Sequence, residues 1–484
     1  MKVNGHIQLY PLLRISVMLI LGIFVGSYLC HYVSGWIWIA LTFSCLLTAL
    51  LINNRPMWVS VLILSASFFY GEGIITFSIA DDESNTFIER KKEHEAVVLG
   101  QPVKKDKTAA CELLLLTQDK PLTIKCLFVV DESNKSALNL HAGDGVIVRS
   151  KIRKEGYTFV NNDEWKPAVV DVSHLSLLTR TKILALEFRD NLLRKFFDNE
   201  KQAEELIVAA LALGNKAAIS SETRHSYSIA GISHVLALSG LHLGIIYTLI
   251  MLLFPKKRLR VISQCLVLLF IWGYVLLTGF SYSVVRSAIM LTIFGVLSAA
   301  NRKGMSLNTL SFAVIIMLVF HPKALWDVGF QLSFMAVLAI LLFYQPIRFI
   351  FGEISNRFLR YVSDVISVSL AAQLGTFPLV LHYFGQFSNY FMLSNVIIIP
   401  VVYVILFLSL LMFCSYPVDW LFIFIKQILI AVVEWLNSLV VWISHLPGAS
   451  FENVYVNVSQ TFAIYILIGS VSLLMYFFRK PLIR

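Results

Sequence analysis

The chain has 484 residues, of which 57% are hydrophobic and only 14% are charged. Soluble domains are about 25% charged, so this composition excludes a soluble globular protein and indicates a polytopic membrane protein. The net charge of +10 belongs to the apolar part of the chain, because residues 81–200 contain 19 basic and 20 acidic residues.

Three apolar segments, at about 13–32, 36–52 and 57–77, predict transmembrane helices and assign residues 1–80 to an N-terminal membrane unit. Lys2 and Arg14 precede an apolar run from Ile15 to Leu29, as in a signal peptide, but no small-x-small cleavage site follows. The first helix is therefore expected to be retained.

Residues 81–175 are predicted to form a small β-barrel of the OB type. Short runs of alternating or β-branched residues occur at about 95–103, 109–117, 122–130, 145–153 and 167–172. If the second and third runs form a hairpin about Asp119-Lys120, Cys111 comes nearly opposite Cys126. A disulfide and two free thiols remain equally open, because a register slip of one residue would turn the side chains to opposite faces.

One predicted strand of this barrel is rich in basic residues and is followed by two aromatic residues. Proteins that bind single-stranded nucleic acid combine a cationic track with aromatic stacking platforms. A solvated strand face is the simpler interpretation of the same pattern. The candidate DNA contacts are Arg149, Lys151, Arg153, Lys154, Tyr157 and Phe159.

Residues 176–226 are predicted to form amphipathic or interfacial helices. Apolar residues recur at helical spacing over 181–197, with charges on the other face. Residues 203–215 are apolar but too short to span a bilayer, and Gly214 is expected to end that helix.

Residues 227–484 are predicted to contain nine more spans, which brings the total to about twelve. These lie at about 227–254, 261–278, 284–300, 307–320, 329–344, 361–382, 391–413, 420–443 and 461–478. If both termini are cytoplasmic, 13 Lys or Arg residues beyond residue 250 face the cytoplasm, and only Arg286 and Lys323 lie outside. The positive-inside rule supports this topology, which places the β domain outside.

Polar residues inside a membrane are costly, so each is a candidate functional group. The topology places four of them near outer ends of spans (Arg286, Gln331, His382 and Asn395) and two near the middle (His242 and Gln373). We therefore expect a water-accessible cavity that opens to the outside.

Simpler interpretations exist at each of these positions. Arg286 and His382 could lie at the interface, and Glu434 could be a neutral hydrogen-bonded carboxyl or a possible proton site. Asn395 precedes Pro400, which could mark a broken helix or a packed kink.

The segment HVLALSGLHLGIIYTL (234–249) places His234, Ser239 and His242 on one broad helix face. A catalytic Ser–His pair is disfavoured because the segment has no carboxylate to orient the imidazole. Close packing at Ser239-Gly240 is the simpler explanation. Two helical turns separate the histidines, against one turn in HExxH sites, so we expect no metal site, no cofactor and no catalysis.

Four stretches together resemble the ComEC family. They are AALALGNKAAISSETRHSYSIAGISHVLALSGLHLGII (209–246), GFSYSVVRSAIM (279–290), DVGFQLSFMAVLAI (327–340) and AAQLGTFPLVLHYFGQFSNYFMLSNVIIIP (371–400). The resemblance is strong over residues 200–410, where it implies a ComEC-type channel domain within 227–484, and weaker over 1–175.

This resemblance implies a channel in the bacterial inner membrane that passes single-stranded DNA into the cytoplasm during natural transformation. An external OB domain would meet the DNA first. It further implies an external DNA receptor, a separate nuclease and a cytoplasmic motor or single-strand-binding protein as partners. The implied pore residues are His234, Ser239, Gly240, His242, Arg286, Gln331, Gln373 and Asn395.

Many members of the family carry a metallo-β-lactamase-like domain, whose HxHxDH motif this sequence lacks. No nuclease activity is therefore expected of this chain. The alternative function is a proton-coupled transporter of a small or anionic solute, with Glu434 as the proton site. A membrane hydrolase that uses Ser239 is a third and weaker alternative.

Overall fold

The structure is a computed structural model. It describes residues 10–52, 55–84, 92–105, 108–116, 121–130, 136–151, 157–161, 164–197, 203–215, 219–236, 238, 240–252, 260–299 and 306–479. This part of the chain is mostly α-helical, and one β domain follows the third helix.

The N-terminal unit consists of α1 (Pro11–Leu29), α2 (Gly35–Leu51) and α3 (Pro56–Ser84). Glycines allow the backbones of α1 and α3 to approach closely. A Cβ atom at Gly22 would lie 2.0 Å from the carbonyl oxygen of Phe68, and one at Gly26 would lie 2.7 Å from the Cα of Glu72. This is the small-xxx-small pattern of packed membrane helices.

The β domain has seven strands: β1 (Lys92–Val98), β2 (Val103–Lys105), β3 (Thr108–Leu115), β4 (Leu122–Val129), β5 (Gly145–Ser150), β6 (Tyr157–Val160) and β7 (Trp165–Pro167). Their order is β6-β4-β3-β1-β5-β7, with β2 paired to β3. The pairing of β4 with β6 is parallel, and the other described pairings in this sheet are antiparallel. Four of the five predicted strands are confirmed, β7 is shorter and earlier than predicted, and β2 and β6 were not predicted.

The β domain has its own apolar core, because alternate residues of its strands point to one side. Strand β5 also contacts β6, which forms the opposite edge of the sheet, so the sheet is strongly curled. The fully buried core side chains include Ala96, Val98, Leu113, Cys126, Phe128, Val146 and Val148.

Four helices connect the β domain to the rest of the chain: α4 (Leu177–Phe196), α5 (Ala203–Leu213), α6 (Ser221–Ile229) and α7 (Ser233–Leu236). The predicted amphipathic helix is confirmed as α4. Its Ile183 and Leu186 pack against the β domain, and Phe196 contacts Phe413 and Phe422. Helix α5 is buried along most of its length, and its predicted end at Gly214, where φ is +75°, is confirmed.

The remaining helices are α8 (Gly240–Leu252), α9 (Arg260–Leu277), α10 (Tyr282–Ala299), α11 (Leu307–Phe320), α12 (Val328–Ile350), α13 (Arg357–Phe384), α14 (Phe391–Ser415), α15 (Asp419–Ser444) and α16 (Val458–Arg479). A two-stranded sheet of β8 (Phe387–Ser388) and β9 (Ser450–Phe451) joins the α13–α14 and α15–α16 connections. Helix α14 is continuous through Pro400, so the broken helix considered there is not found.

The N-terminal unit packs against α10, α11 and α12. Leu19, Ile23 and Ile75 share an apolar core with residues that include Ala313 and Phe330. Lys323 Nζ also donates a hydrogen bond to the carbonyl oxygen of Ser78 at 3.1 Å.

Six described helices are long and apolar enough to cross a membrane: Pro11–Leu29, Pro56–Ala80, Val328–Ile350, Arg357–Phe384, Phe391–Ser415 and Asp419–Ser444. Six further described apolar helices are shorter, with 10–17 residues each. This composition is that of a membrane protein.

Candidate functional site

The prediction of one continuous span over 227–254 is wrong. The helix breaks between α6 and α8, and the short helix α7 lies between them. Helix α6 ends at Ile229, and Gly231 adopts a φ of +78°, which favours glycine. A Cβ atom at Gly231 would also lie 2.8 Å from Ser388 Oγ. Sequence analysis missed the interruption because the residues that follow Gly231 are mostly apolar and continue into the apolar helix α8.

The two histidines of this segment therefore do not share a helix face. His234 lies on the short α7, where its side chain is exposed although Val235 and Leu236 are buried. His242 lies on α8 and is fully buried. Gly240 begins α8 and packs against α10, since a Cβ atom there would lie 3.2 Å from Ser287 Oγ. Ser239 lies outside the described residues.

Arg286 lies on α10 and is only 2% exposed. Its Nη2 is 3.4 Å from Ser283 Oγ, and its guanidinium carbon is 5.9 Å from the centre of the Phe334 ring. Asp327 is near enough to act on it electrostatically. The alternative of an interfacial position, with the guanidinium in the headgroups, is not supported by this burial.

Gln331 connects α12 to α13. Its Nε2 donates to the carbonyl oxygen of Leu325 at 2.9 Å, and its Oε1 accepts from the hydroxyl of Tyr383 at 2.9 Å. His382, the residue before Tyr383, is half-buried, and its Nδ1 lies 2.8 Å from the carbonyl oxygen of Val456. Gln331 thus joins two helices near one end of α13, and His382 joins the same end to the connection before α16.

Asn395 connects α14 to α13. Its Nδ2 donates to Ser369 Oγ at 3.1 Å, and the side chain is 8% exposed. Gln373 lies one turn further along α13 and is half-buried. We expected these polar side chains to line a water-accessible cavity. In the structure His242, Arg286 and Asn395 are instead buried, which disagrees with that expectation at three positions.

Glu434 is exposed on the surface of α15. Its role as a possible proton site stays a prediction. Glu72 lies within α3 and is 1% exposed, and sequence analysis overlooked it although it falls inside the predicted span at 57–77. Its position between two glycines on an apolar helix was the available signal.

A buried ion pair anchors the start of α5. Lys426 Nζ lies 2.9 Å from Glu205 Oε1, and the two side chains are 17% and 5% exposed. Two further polar contacts hold α6 in place. The hydroxyl of Tyr227 donates to Asn437 at 3.0 Å, and that of Ser228 donates to Gln386 Oε1 at 2.8 Å. Sequence analysis identified none of these pairs, because their members are far apart in the chain.

The β domain exposes some of the predicted DNA contacts. Arg149 and Lys151 are exposed, although Arg149 lies opposite Glu93 of β1. Phe159 on β6 is 57% exposed and lies opposite Leu127 of β4. Arg153 and Lys154 lie outside the described residues, as does the side chain of Tyr157. The charges are therefore mixed rather than uniformly basic.

The hairpin register predicted for Cys111 and Cys126 is confirmed, because the two residues lie directly opposite each other. Both are buried and have free thiols in the structure. Burial raises the pKa of Cys126 to about 12 and also raises the pKa of Cys111, so both are protonated at neutral pH. Oxidation to a disulfide stays a prediction.

Comparison with known proteins identifies the family. Residues 211–478 match the family described as Competence protein. The chain belongs to this family. The matched region contains every candidate residue from His234 to Asn395, and the resemblance to the ComEC family is confirmed.

The chain is similar to ComE operon protein 3 of Bacillus subtilis (strain 168), with 29% identity over 254 residues. It is similar to an uncharacterized protein of Aquifex aeolicus (strain VF5), with 31% identity over 239 residues. It is also similar to Recombination protein 2 of Haemophilus influenzae (strain ATCC 51907 / DSM 11121 / KW20 / Rd), with 25% identity over 233 residues.

These matches cover 50%, 47% and 45% of this chain, and 30%, 53% and 29% of the three relatives. The matched region thus spans about half or less of each relative. No solved structure matches the chain significantly.

Proposed function

We propose that this protein is a membrane channel that passes single-stranded DNA into the cytoplasm during natural transformation. The observation that carries the proposal is the Competence family match over 211–478. The matched region contains the helix break between α6 and α8 and the buried polar side chains around it. DNA is the substrate that this family suggests.

We infer twelve spans, with both termini in the cytoplasm and the β domain outside, in a bacterial inner membrane. The six long and six shorter apolar helices together number twelve, which supports this count. The charge bias of the short loops supports the orientation. Reagents that label only external thiols test it, because a cysteine placed at residue 166 should react in intact cells.

We infer that the β domain is of the OB type. An OB fold is a five-stranded, partly open Greek-key barrel. The antiparallel succession of β1, β3 and β4, the parallel β4–β6 pair and the pairing of β1 with β5 support this inference. The contact between β5 and β6 would close such a barrel.

Single-stranded DNA would bind this domain across β4 and β6. Phe159 offers an exposed ring for base stacking, and Lys125 of β4 is exposed beside β6. Base–aromatic stacking contributes roughly 1–3 kcal/mol per base, so Phe159→Ala should weaken binding about tenfold. Val169→Ala, a change at a fully exposed position outside the strands, is the matched control.

This binding is measured with the full chain in lipid nanodiscs and a labelled oligothymidylate, at several salt concentrations. Affinity should fall as salt increases, because phosphate contacts release counterions. A flat salt response, or equal affinities for the Phe159 and Val169 variants, would contradict the role of the β domain.

We further propose that the chain acts without catalysis, and that an external receptor, a separate nuclease and a cytoplasmic motor complete the pathway. The transporter alternative is not favoured. Its supposed proton site, Glu434, is exposed on α15, and α14 is continuous where the alternative needs a broken helix.

Deletion of the gene in a naturally transformable host tests the channel directly. Transformation should be lost and should return when the intact chain is supplied in trans. Normal transformation of the deletion strain would rule the channel function out.

A further inference from the structure

Arg286 on α10 is buried and has unused hydrogen-bond donors. Its Nε and Nη1 have no hydrogen-bond partner among the described residues, and its contact with Ser283 at 3.4 Å is long. Lys426, by contrast, is paired with Glu205 at 2.9 Å. A guanidinium with unmet donors is costly to bury, since its lost hydration is not replaced.

The neighbouring carboxylate does not satisfy these donors. Asp327 acts on Arg286 electrostatically, but its Oδ1 accepts a hydrogen bond from the backbone N–H of Phe330 at 2.7 Å. Asp327 is thus the N-cap of α12 and is held there by its capping role. The arginine keeps its charge while two of its nitrogens remain without an acceptor.

The surroundings of the guanidinium combine an apolar wall with small residues. The Phe334 ring lies on one side, and Gly329 lies on another, where an added Cβ atom would be 4.0 Å from Nη1 and 3.1 Å from Asp327 Oδ1. Nearby, Gly240 faces Ser287 on the same helix as Arg286. The ring excludes water on its side of the guanidinium, and an oxyanion would reach the unused donors from a side that Asp327 does not occupy.

The geometry points to Arg286 as a binding site for a phosphodiester group of the transported strand. A guanidinium offers parallel N–H donors that match two oxygens of one phosphate, and such charge-assisted pairs are strong. This inference rests on the proposed DNA channel and assigns one ligand group to one residue. Because Arg286 is 2% exposed, the strand must separate α10 from the start of α12 to reach it.

The test uses a deletion strain that carries the wild-type chain, Arg286→Gln, Arg286→Lys or the control Arg360→Gln. Arg360 is an exposed arginine whose Nε and Nη2 already donate to the carbonyl oxygen of Ile354 at 3.1 and 2.9 Å. Each strain is given labelled DNA with normal linkages, or the same DNA with a short run of uncharged methylphosphonate linkages in both strands. The readout is the ratio of the two amounts that enter the cytoplasm.

Wild type and Arg360→Gln should import normal DNA roughly tenfold better than the modified DNA, the size of one charge-assisted hydrogen bond. In Arg286→Gln, import of normal DNA should fall and the ratio should approach one. Effects of the modification on surface binding are common to all strains and cancel when ratios are compared. A wild-type ratio in Arg286→Gln would overturn the inference.

Membrane abundance of each variant is measured in parallel. If Arg286→Gln does not accumulate, Arg286→Lys decides, because lysine keeps the charge but cannot form the bidentate contact. The ratio of normal to modified DNA imported by the Arg286→Lys strain should be lower than that of wild type, and an unchanged ratio would overturn the inference. Normal import in the deletion strain itself would instead refute the channel, and that outcome is independent of every comparison at residue 286.

Discussion

The N-terminal unit and the family-matched region 211–478 are held together by different kinds of contact. In α1 and α3 the close approach depends on Gly22, Gly26 and Gly71, whose added Cβ atoms would meet backbone atoms of the facing helix. In the matched region, side-chain hydrogen bonds join helices, as between Tyr227 and Asn437 and between Tyr383 and Gln331.

This difference indicates which region performs the function. Apolar and glycine contacts are sufficient to assemble membrane helices, whereas polar groups inside a membrane are costly and are retained for function. The N-terminal unit, in which Glu72 is a buried polar exception, packs as a scaffold against α10–α12, and the DNA path that we propose lies in the matched region. Variants in the first should affect assembly, and variants in the second should affect import as well.

The largest effect on stability is expected where a buried charge loses its partner. Lys426→Met leaves Glu205 unpaired at 5% exposure, which should lower the free energy of unfolding by roughly 3–5 kcal/mol. The measurement is reversible unfolding of the purified chain in detergent. The double variant Glu205→Leu with Lys426→Met should regain most of the loss, and equal stabilities of wild type and Lys426→Met would contradict this assignment.

A smaller loss is expected in the N-terminal unit. Gly22→Ala places a Cβ atom 2.0 Å from the Phe68 carbonyl oxygen, and relief of this clash should cost about 1–3 kcal/mol. The control is Gly469→Ala on α16, where the new methyl group meets nothing within 4 Å. Thermal stability in detergent should fall only for the first variant. Equal melting temperatures for the two variants would show that α1 and α3 do not pack as described.

Sequence patterns predicted the β domain better than they predicted the candidate site. The Cys111–Cys126 register follows from strand alternation and one hairpin, which are local features. Strand β6 was missed because it is short, and its parallel partner β4 is far away in the chain. Periodicity carries no information about such long-range pairing.

The candidate site was predicted in composition but not in arrangement. Motifs and hydropathy selected Arg286, Gln331 and Asn395, yet depth along a span does not determine whether a side chain faces water or protein. The break at Gly231 depends on the approach of Ser388, from more than 150 residues away. The Glu205–Lys426 pair depends on a contact that is even more distant in the chain.

The smallest expected effect is the loss of one interhelical hydrogen bond. Tyr383→Phe removes the hydroxyl that donates to Gln331 at 2.9 Å, and stability should fall by about 0.5–1.5 kcal/mol. Tyr361→Phe on the same helix is the control, since the Tyr361 hydroxyl has no hydrogen bond in the described part of the chain. A stability loss of the same size in both variants would show that the bond to Gln331 contributes nothing.

Import of labelled DNA into a deletion strain tests the central claim most directly. Surface-bound label and label that is protected from added nuclease inside the cytoplasm are measured in the same cells. The channel predicts normal surface binding and no cytoplasmic label, with recovery when the intact chain is supplied. Cytoplasmic label at the wild-type level in the deletion strain would contradict it.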